Sequence, residues 1–328
     1  MTNYYRCGKL IEWDSENPPI TCLMSVYNGE TYLREAIDSI LDQTYSNFEF
    51  LIINDGSTDN SVSILESYDD PRIRLIHNGE NIGLTKSLNK GINLAKGDYI
   101  ARMDADDVSI KERFEYQLKK ISGFDCVCSQ AIDINISLDN SKKIASYLFF
   151  ENPIIHSSVF IKKNVLNVNK YDSTVRFAQD YDLWTRLIKK HKFSLVQKSV
   201  IKNNLNENRL GISSFHKQKK YADLVRYKYY ESFGLILNDS EKDIISRMTS
   251  ISPGYSYKYF HEVIELFNKL KKVYDDSIDE NLLKLLIDRY IKLLFTHYPL
   301  IFNIKNRNFN IFVQRKEIYN VSDYFNIL

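Results

Sequence analysis

The chain has 328 residues, with 44 lysines and arginines against 42 aspartates and glutamates, and a formal net charge of +2. This balance gives no basis for nucleic-acid binding, and no apolar run is long enough to span a bilayer. A chain of this length can bury a substantial core, and we expect one enzyme-sized domain with a smaller second one.

The N-terminus and the cysteines favour a cytoplasmic location. Residues Met1–Trp13 lack the apolar core of a secretory signal peptide. Cys126 and Cys128 are separated by one residue, so on a strand they share one face, and this is not the spacing of a zinc site. We therefore expect buried, reduced thiols.

Strands and helices alternate through the first hundred residues. An irregular lead-in, Met1–Pro19, ends in two prolines that favour an extended entry to the core. Buried strands are then predicted at Ile20–Val26, Phe48–Ile53, Ile73–Ile76 and Tyr99–Met103. Helices are predicted between them at Thr31–Gln43, around Ile64 and Leu65, and at Leu84–Ala95. This order predicts an α/β fold with a doubly wound, mostly parallel sheet flanked by helices.

Polar loops follow these strands and should meet at one edge of the sheet, where open α/β sheets bind ligands. They are Tyr27–Gly29, Asn54–Asp59, His77–Gly83 and Asp104–Asp107. The last loop has three carboxylates in four residues, whose repulsion is offset by water or by a divalent cation. By itself the cluster fits a solvated acidic turn equally well, but its place beside the other loops favours a ligand site.

The remaining chain is divided by its composition. A helix is predicted from Glu112 to Lys120, a strand at Cys126–Ile136, and a helix at Tyr181–Ile188 directly after Asp180. Beyond Phe215 the sequence is rich in Lys, Tyr and Leu and lacks such polar loops. We therefore expect a lead-in at 1–19, a main α/β domain at 20–214 and a mainly helical C-terminal extension at 215–328.

Four sequence segments stand in order between Ile20 and Ser213. They are Met24–Asn28, Gln43–Tyr45 with Ile52–Asp59, Asn81–Gly91 with Ala95–Ile100 and Asp104–Asp106, and Gln179–Trp184. Together they resemble the motifs of inverting family-2 glycosyltransferases with the GT-A fold, in the group that builds bacterial capsular or lipopolysaccharide chains. The resemblance implies a hexosyltransferase-type enzyme that uses a nucleotide-diphosphate sugar, UDP-linked, and a surface glycan or lipid-linked glycan as acceptor.

The resemblance also implies which residues bind the donor nucleotide. Ser25, Tyr27 and Asp55 would hold the base, with the Asp55 carboxylate accepting the ring N–H. Lys86 would approach the diphosphate and Asp104 would contact the ribose. Three of these residues also have plainer interpretations: a turn cap for Asp55, a strand-end aromatic for Tyr27 and a solvated helix face for Lys86.

Metal binding and proton transfer follow from the same resemblance. Asp106, supported by Asp107, would bind Mn²⁺ or Mg²⁺, which stabilises negative charge on the departing nucleoside diphosphate. Asp180 would be the general base that takes the proton of the acceptor hydroxyl. An N-terminal helix cap is the other interpretation of Asp180, and the two roles are compatible.

The acceptor side and the C-terminal region leave alternatives open. His156 would lie beside the acceptor or would be a satisfied core histidine. Trp184 would stack on a sugar ring or would pack its own helix. The apolar segment Leu282–Phe295, with its interspersed Lys and Arg, fits a core helix, a dimer helix or a helix lying on the inner face of the membrane.

Three departures from the family motifs raise competing classes. Gln179 stands where the family often has Glu, Asn54 replaces a frequent Asp, and Asn203–Ser213 lacks a frequent His. Gln179 and the missing His make a catalytically silent GT-A-fold binding or scaffold protein one alternative. A sugar nucleotidyltransferase is another, although its Gly-rich basic loop is absent. The intact Asp104–Asp106 and Asp180 favour the glycosyltransferase.

Overall fold

The computed structural model describes residues 2–6, 9–14, 16–131, 136–196, 198–203, 215–248, 260–272, 276–287, 310–312 and 318–320. The chain divides into two compact units. The first is Met1–Tyr229 with Asp276–Asp279, and the second is Tyr230–Asp275 with Glu280–Leu328. The domain boundary expected between residues 214 and 215 stays a prediction.

The secondary structure is numbered in chain order. The strands are β1 (Thr2–Arg6), β2 (Lys9–Trp13), β3 (Ile20–Val26), β4 (Phe48–Asn54), β5 (Ile73–His77), β6 (Tyr99–Asp104), β7 (Asp107–Ser109), β8 (Cys126–Ser129), β9 (Phe160–Lys162), β10 (Phe193–Val196), β11 (Ile201–Asn203), β12 (Asn310–Phe312) and β13 (Ile318–Asn320). The helices are α1 (Leu33–Leu41), α2 (Ser61–Glu66), α3 (Leu84–Leu94), α4 (Arg113–Lys120), α5 (Ser141–Tyr147), α6 (Lys163–Val168), α7 (Gln179–Leu187), α8 (Phe215–Glu231), α9 (Asp239–Met248) and α10 (Phe260–Lys271). A 3₁₀ turn covers His156–Ser158, and residues 280–287 are also helical.

Seven of the described strands form a central sheet in the order β10-β8-β9-β6-β3-β4-β5. Strand β9 runs antiparallel to both of its neighbours, whereas the other neighbouring pairs are parallel. The predicted α/β architecture, a mostly parallel sheet flanked by helices with a mainly helical C-terminal part, is confirmed.

The centre of the sheet is covered on both faces. Every residue of β4 and all but one of β3 are buried, which explains why these strands appear in the sequence as continuous apolar runs. Helix α1 packs one apolar face onto the sheet, with its buried side chains at helical spacing: Leu33, Ala36, Ile37, Ile40 and Leu41. This rigid centre fixes where the loops at the strand ends begin.

Two elements differ from the sequence-based prediction. The N-terminal lead-in is not irregular, because β1 and β2 pair antiparallel from Thr2 opposite Trp13 to Arg6 opposite Lys9. Its sequence signal is two short runs rich in Tyr, Leu and Ile on either side of a two-residue connection that contains glycine. The strand expected at Cys126–Ile136 ends at Ser129 instead, and residues 132–135 lie outside the described part.

The second unit contains α9 and α10. Apolar side chains of both helices are buried, including Ile244, Ile245, Leu266 and Phe267, and Lys269 of α10 forms an ion pair with Glu241 of α9. Of the segment Leu282–Phe295, only residues 282–287 are described, and there Leu286 and Ile287 are completely buried. Among the helices that the structure describes, none has the length and apolar character required to cross a membrane.

A buried carboxylate joins the starts of neighbouring strands in the first unit. Glu49 is 2% exposed, and its Oε2 accepts hydrogen bonds from Thr21 Oγ1 at 2.7 Å and from the backbone N–H of Lys96 at 3.0 Å. Thr21 Oγ1 in turn accepts the N–H of Gly97 at 2.9 Å. These bonds pull the chain at Gly97 so close to β3 that a Cβ atom there would lie 2.4 Å from the nitrogen of Thr21.

Substitution of Gly97 by alanine should therefore strain the sheet. We expect Gly97→Ala to lower the free energy of unfolding by about 1–3 kcal/mol, because backbone rather than a flexible side chain must move. Urea denaturation measures the effect. Gly79→Ala is the matched control, since no atom lies within 4 Å of its added Cβ; equal losses in both variants would contradict the prediction.

Candidate active site at the carboxyl ends of the strands

The loops that follow β3 and β4 are tied to each other. The side-chain oxygen of Asn28 accepts the backbone N–H of Thr58 at 2.8 Å, and the N–H of Gly29 donates to Ser61 Oγ at 2.9 Å. Asn28 adopts a positive φ of 50°, which asparagine tolerates better than most residues. The predicted meeting of polar loops at one edge of the sheet is thus present for these two loops.

Asp55 organises the loop after β5. Its carboxylate is 1% exposed and accepts three hydrogen bonds, from Asn78 Nδ2 at 2.8 Å and from the backbone N–H groups of Ile82 at 3.0 Å and Gly83 at 2.9 Å. Because each carboxylate oxygen has two lone pairs, Oδ2 has one acceptor position that no described residue occupies beyond its bond to Gly83. Recognition of a nucleotide base by Asp55 stays a prediction.

The other residues predicted to bind the nucleotide lie around this edge. Ser25 is half-buried on β3, directly opposite Asp104 of β6 in the strand register. Tyr27 follows β3 with 51% of its surface exposed, and Lys86 is exposed on α3 without an ion pair to any described side chain. A ligand can therefore reach all three side chains.

The acid cluster after β6 has the composition of a divalent-cation site. One carboxylate oxygen each from Asp104, Asp106 and Asp107 lies within 4.8 Å of the others. Asp104 and Asp106 are half-buried, whereas Asp107 is 3% exposed and accepts a hydrogen bond of 2.5 Å from Ser157 Oγ. Three oxygen donors at this spacing fit Mn²⁺ or Mg²⁺, with Asp107 the least accessible of them.

Arg102 is a site residue that the sequence analysis missed. It precedes Asp104 by two residues, so both side chains lie on one face of β6, where they form an ion pair. Burial is the largest single effect and lowers the pKa of this guanidinium, but Asp104, together with Tyr171 and Asp107, raises that pKa overall. The available signal was a lone arginine inside the buried strand Tyr99–Met103.

A second buried guanidinium lies behind the first. Arg113 of α4 is completely buried and donates hydrogen bonds to the carbonyl oxygens of Arg102 at 2.8 Å and Val159 at 3.3 Å. Burial lowers its pKa to about 10, so it stays charged at neutral pH. Among the described residues, Arg102 is paired with Asp104 and its charge also acts on Asp107 and Asp180, whereas the charge of Arg113 acts on Asp107.

Asp180 lies in the first turn of α7, where the helix N-terminus favours negative charge. The N-cap position belongs to Ala178, so the interpretation of Asp180 as the helix cap is wrong. Its Oδ2 accepts a hydrogen bond of 2.9 Å from Asn152 Nδ2. Burial raises the pKa of Asp180, although the N–H of Tyr181 and the charge of Arg102 oppose the rise. A half-buried carboxylate with a raised pKa is a suitable general base.

His156 lies in the 3₁₀ turn before β9. Its Nε2 is 2.8 Å from the hydroxyl oxygen of Tyr171, a buried residue that the sequence analysis also missed. Burial, followed by the charge of Arg102, holds the pKa of His156 well below its usual range. The imidazole is therefore neutral at pH 7. It can donate a hydrogen bond to the Tyr171 hydroxyl or accept one from it, and neither adds charge to the site.

Trp184 has the packing role rather than the stacking role. Its ring is 0% exposed and makes edge contacts with His156 and with Phe193, each with ring centroids 6.1 Å apart. No face of the ring is open to a sugar. Trp184 instead packs against the imidazole of His156.

Two of the three departures from the family motifs, Asn54 and Gln179, lie in the part of the chain that the structure describes. Asn54 spans the acidic turn, with its Oδ1 accepting the N–H of Ser57 at 3.2 Å and its Nδ2 3.1 Å from His77 Nδ1. An amide there supplies a donor that a carboxylate lacks. Gln179 begins α7 and is half-buried. The loop without the histidine lies outside the described residues from 204 onward.

The low pKa of His156 should make folding sensitive to mild acid. In the unfolded chain His156 takes up a proton near the ordinary pKa of 6.5, whereas in the folded protein it stays neutral to a lower pH. As the pH falls below about 6.5, proton binding therefore stabilises the unfolded chain and the free energy of unfolding decreases. We expect the unfolding free energy of His156→Gln to fall less between pH 7 and about pH 5 than that of the wild type. Urea titrations at both pH values measure this, with the exposed His216→Gln as control; parallel losses in all three proteins would contradict it.

Comparison with known proteins identifies the family. The model of glycosyl transferase family 2 matches residues 21–177. An uncharacterized glycosyltransferase of Methanocaldococcus jannaschii is 33% identical over 227 residues, which cover 64% of this chain and 78% of that protein. An uncharacterized glycosyltransferase of Haemophilus influenzae is 28% identical over 233 residues, covering 64% and 72%.

Solved structures show the same fold. S. aureus TarS 1–349 in complex with UDP-GlcNAc aligns with a TM-score of 0.58 and 17% identity, covering 91% of this chain and 97% of that one. The mannosyltransferase PcManGT from Pyrobaculum calidifontis, in complex with GDP-Man and Mn²⁺, aligns with a TM-score of 0.53 and 15% identity, covering 87% and 89%. The predicted GT-A fold is confirmed, and the chain belongs to glycosyl transferase family 2 and is a glycosyltransferase.

Proposed function

We propose that this glycosyltransferase is inverting and metal-dependent, and that it moves a sugar from UDP to a bacterial surface glycan or lipid-linked glycan. The observation that carries the proposal is one edge of the sheet where carboxylate oxygens of Asp104, Asp106 and Asp107 lie within 4.8 Å of one another, and where Arg102, the ion-pair partner of Asp104, also acts on Asp180. Nucleotide-sugars bound to TarS and PcManGT support this kind of donor, and the Mn²⁺ of PcManGT supports the metal.

The donor would lie across the carboxyl ends of β3, β4 and β6. Asp106, with Asp107, would hold Mn²⁺ or Mg²⁺, which when bound supplies positive charge to a departing diphosphate. Asp104 would contact the ribose, and its ion pair with Arg102 restricts the directions in which the carboxylate can face. Exposed Lys86 would approach the diphosphate from α3.

The nucleotide base would lie over the loops after β3 and β4. Tyr27 offers an exposed ring for stacking, and Ser25 a hydroxyl beside Asp104. The free acceptor position on Asp55 would take the ring N–H of the base. The buried bonds of Asp55 to Ile82 and Gly83 hold that carboxylate in place before the donor arrives.

Asp180 would perform the proton transfer. The acceptor hydroxyl oxygen attacks C1 of the sugar from the face opposite the diphosphate, and its proton passes to the Asp180 carboxylate. The bond between C1 and the phosphate oxygen breaks, and its electron pair leaves with the nucleoside diphosphate. One displacement of this kind inverts the anomeric configuration and needs no second carboxylate as nucleophile.

The acceptor would approach from the side of His156 and α7. Neutral His156, supported by Trp184 and bonded to Tyr171, offers a polar group without charge to a sugar hydroxyl. With a lipid-linked acceptor, residues 215–328 would contact the inner face of the membrane.

The metal requirement is tested by donor binding. We expect Mn²⁺ to raise the affinity for UDP in titration calorimetry, and Asp106→Asn to abolish the increase by removing one anionic ligand. Asp69→Asn, which alters an exposed carboxylate elsewhere, should keep it. Turnover that persists unchanged in excess chelator would rule out the metal-dependent mechanism.

The base assignment is tested by turnover. We expect Asp180→Asn to retain UDP-sugar affinity and to lower kcat by about 10²–10⁴-fold, because an amide cannot accept the proton. Release of nucleoside diphosphate from a panel of UDP-, GDP- and dTDP-sugars measures the rate. A wild-type rate in Asp180→Asn would exclude Asp180 as the base, and release of pyrophosphate would indicate a nucleotidyltransferase instead.

A further inference from the structure

Asn152 lies directly against the carboxylate of Asp180. Its side-chain nitrogen, Nδ2, donates a hydrogen bond of 2.9 Å to Oδ2 of Asp180, across 28 positions of the sequence. Both side chains are half-buried, so water competes only partly for the bond. The contact connects the segment after α5 with the first turn of α7.

A second hydrogen bond fixes which way the Asn152 amide faces. Its oxygen, Oδ1, accepts the backbone N–H of Ile154 at 3.1 Å. A backbone N–H can only donate, so the amide oxygen must face Ile154 and the NH₂ group must face Asp180. The reversed amide would place its NH₂ group against another donor.

The backbone around Asn152 is held from both sides. Pro153 follows it and restricts the chain, and the carbonyl of Pro153 accepts the N–H of Ala131 at 3.0 Å. Ile154 forms a β-bridge with Gln130, next to the end of β8. The amide of Asn152 therefore reaches Asp180 from a fixed platform at the edge of the central sheet.

Asp180 is in an environment of mixed charge. The charge of Arg102 on β6 lowers the pKa of Asp180 and that of Asp104 on the same strand raises it. Burial and, to a smaller extent, Asp180 raise the pKa of Tyr171, so this hydroxyl stays neutral. Burial raises the pKa of Asp180, which favours its protonated form. A neutral N–H donor opposes this effect, since it bonds to the carboxylate without changing the net charge of the site.

We propose that Asn152 is a positioning residue for glycosyl transfer, which orients the Asp180 carboxylate and stabilises the ionised form that accepts the proton of the acceptor hydroxyl. The inference rests on the proposed function, because it takes Asp180 as the general base. The role needs an N–H donor at Nδ2 and an acceptor at Oδ1, and asparagine supplies both in one rigid group.

Two substitutions separate this role from a purely structural one. Asn152→Asp keeps an oxygen for the N–H of Ile154 but places a carboxylate against Asp180, so we expect the acid limb of the kcat–pH profile to move up by about one pH unit or more. Asn152→Ala removes the donor without adding charge and should move the limb in the same direction by less. The KM for the donor should stay within about twofold, because neither change touches the predicted nucleotide residues.

Asn164→Asp is the control for added charge, since Asn164 is exposed on α6 and the substitution adds the same negative charge. Its pH profile should match that of the wild type. A lower kcat in both Asn152 variants with an unmoved acid limb would reduce Asn152 to a structural residue and overturn the inference.

A second readout does not depend on turnover. The carboxyl of Asp180 can be titrated by ¹³C NMR in the metal-free protein, with its signal assigned by its loss in Asp180→Asn. We expect Asn152→Asp and Asn152→Ala to raise the midpoint of this titration, and unchanged midpoints would overturn the inference. If the midpoints rise but no panel donor yields nucleoside diphosphate, the proposed function fails while control of Asp180 by Asn152 stands.

Discussion

The fixed positive charge of Arg102 is the interaction on which the reacting edge depends. Three carboxylates within 4.8 Å and a fourth on α7 would repel one another in a half-buried setting. A guanidinium stays protonated, so Arg102 offsets that repulsion at any working pH. Arg113 donates a hydrogen bond to the backbone carbonyl of Arg102 and so helps to hold that strand in place. The carboxylate oxygens of Asp104, Asp106 and Asp107 are the hard ligands that a divalent cation such as Mn²⁺ or Mg²⁺ prefers.

Buried polar side chains elsewhere in the first unit fix loops rather than reacting atoms. Asp55 holds the loop after β5, Gln43 donates to Ser109 Oγ at 3.2 Å and to the carbonyl of Ile110 at 2.7 Å, and Glu49 joins the starts of strands. Each motif residue of this kind satisfies backbone groups that the loops would otherwise leave unpaired. The edge is thereby preorganised, which lowers the reorganisation required when a charged substrate binds.

The sequence was sufficient to predict what depends on local pattern. Apolar runs and helical spacing located the strands and helices, and the order of strands predicted the edge where the acid cluster lies. The contacts of Arg102 and Asn152 could not be predicted in this way. The first is a charge inside an apolar strand, and the second bonds across 28 positions, so both depend on tertiary packing. Trp184 shows the same limit, because its burial is decided by neighbours that the motif does not name.

Strand β9 is the one described strand of the central sheet that runs against its neighbours, so it begins at the reacting edge instead of ending there. The turn before it therefore brings Ser157 against Asp107 of the acid cluster, and His156 lies in the same turn. Side chains proposed to bind the donor and its metal lie at positions 25–107, and those proposed to face the acceptor are His156 and Asp180. On the proposed roles, acceptor choice would be set mainly by the later stretch and donor chemistry by the earlier one, with Ser157 and Val159 joining the two by their bonds to Asp107 and Arg102.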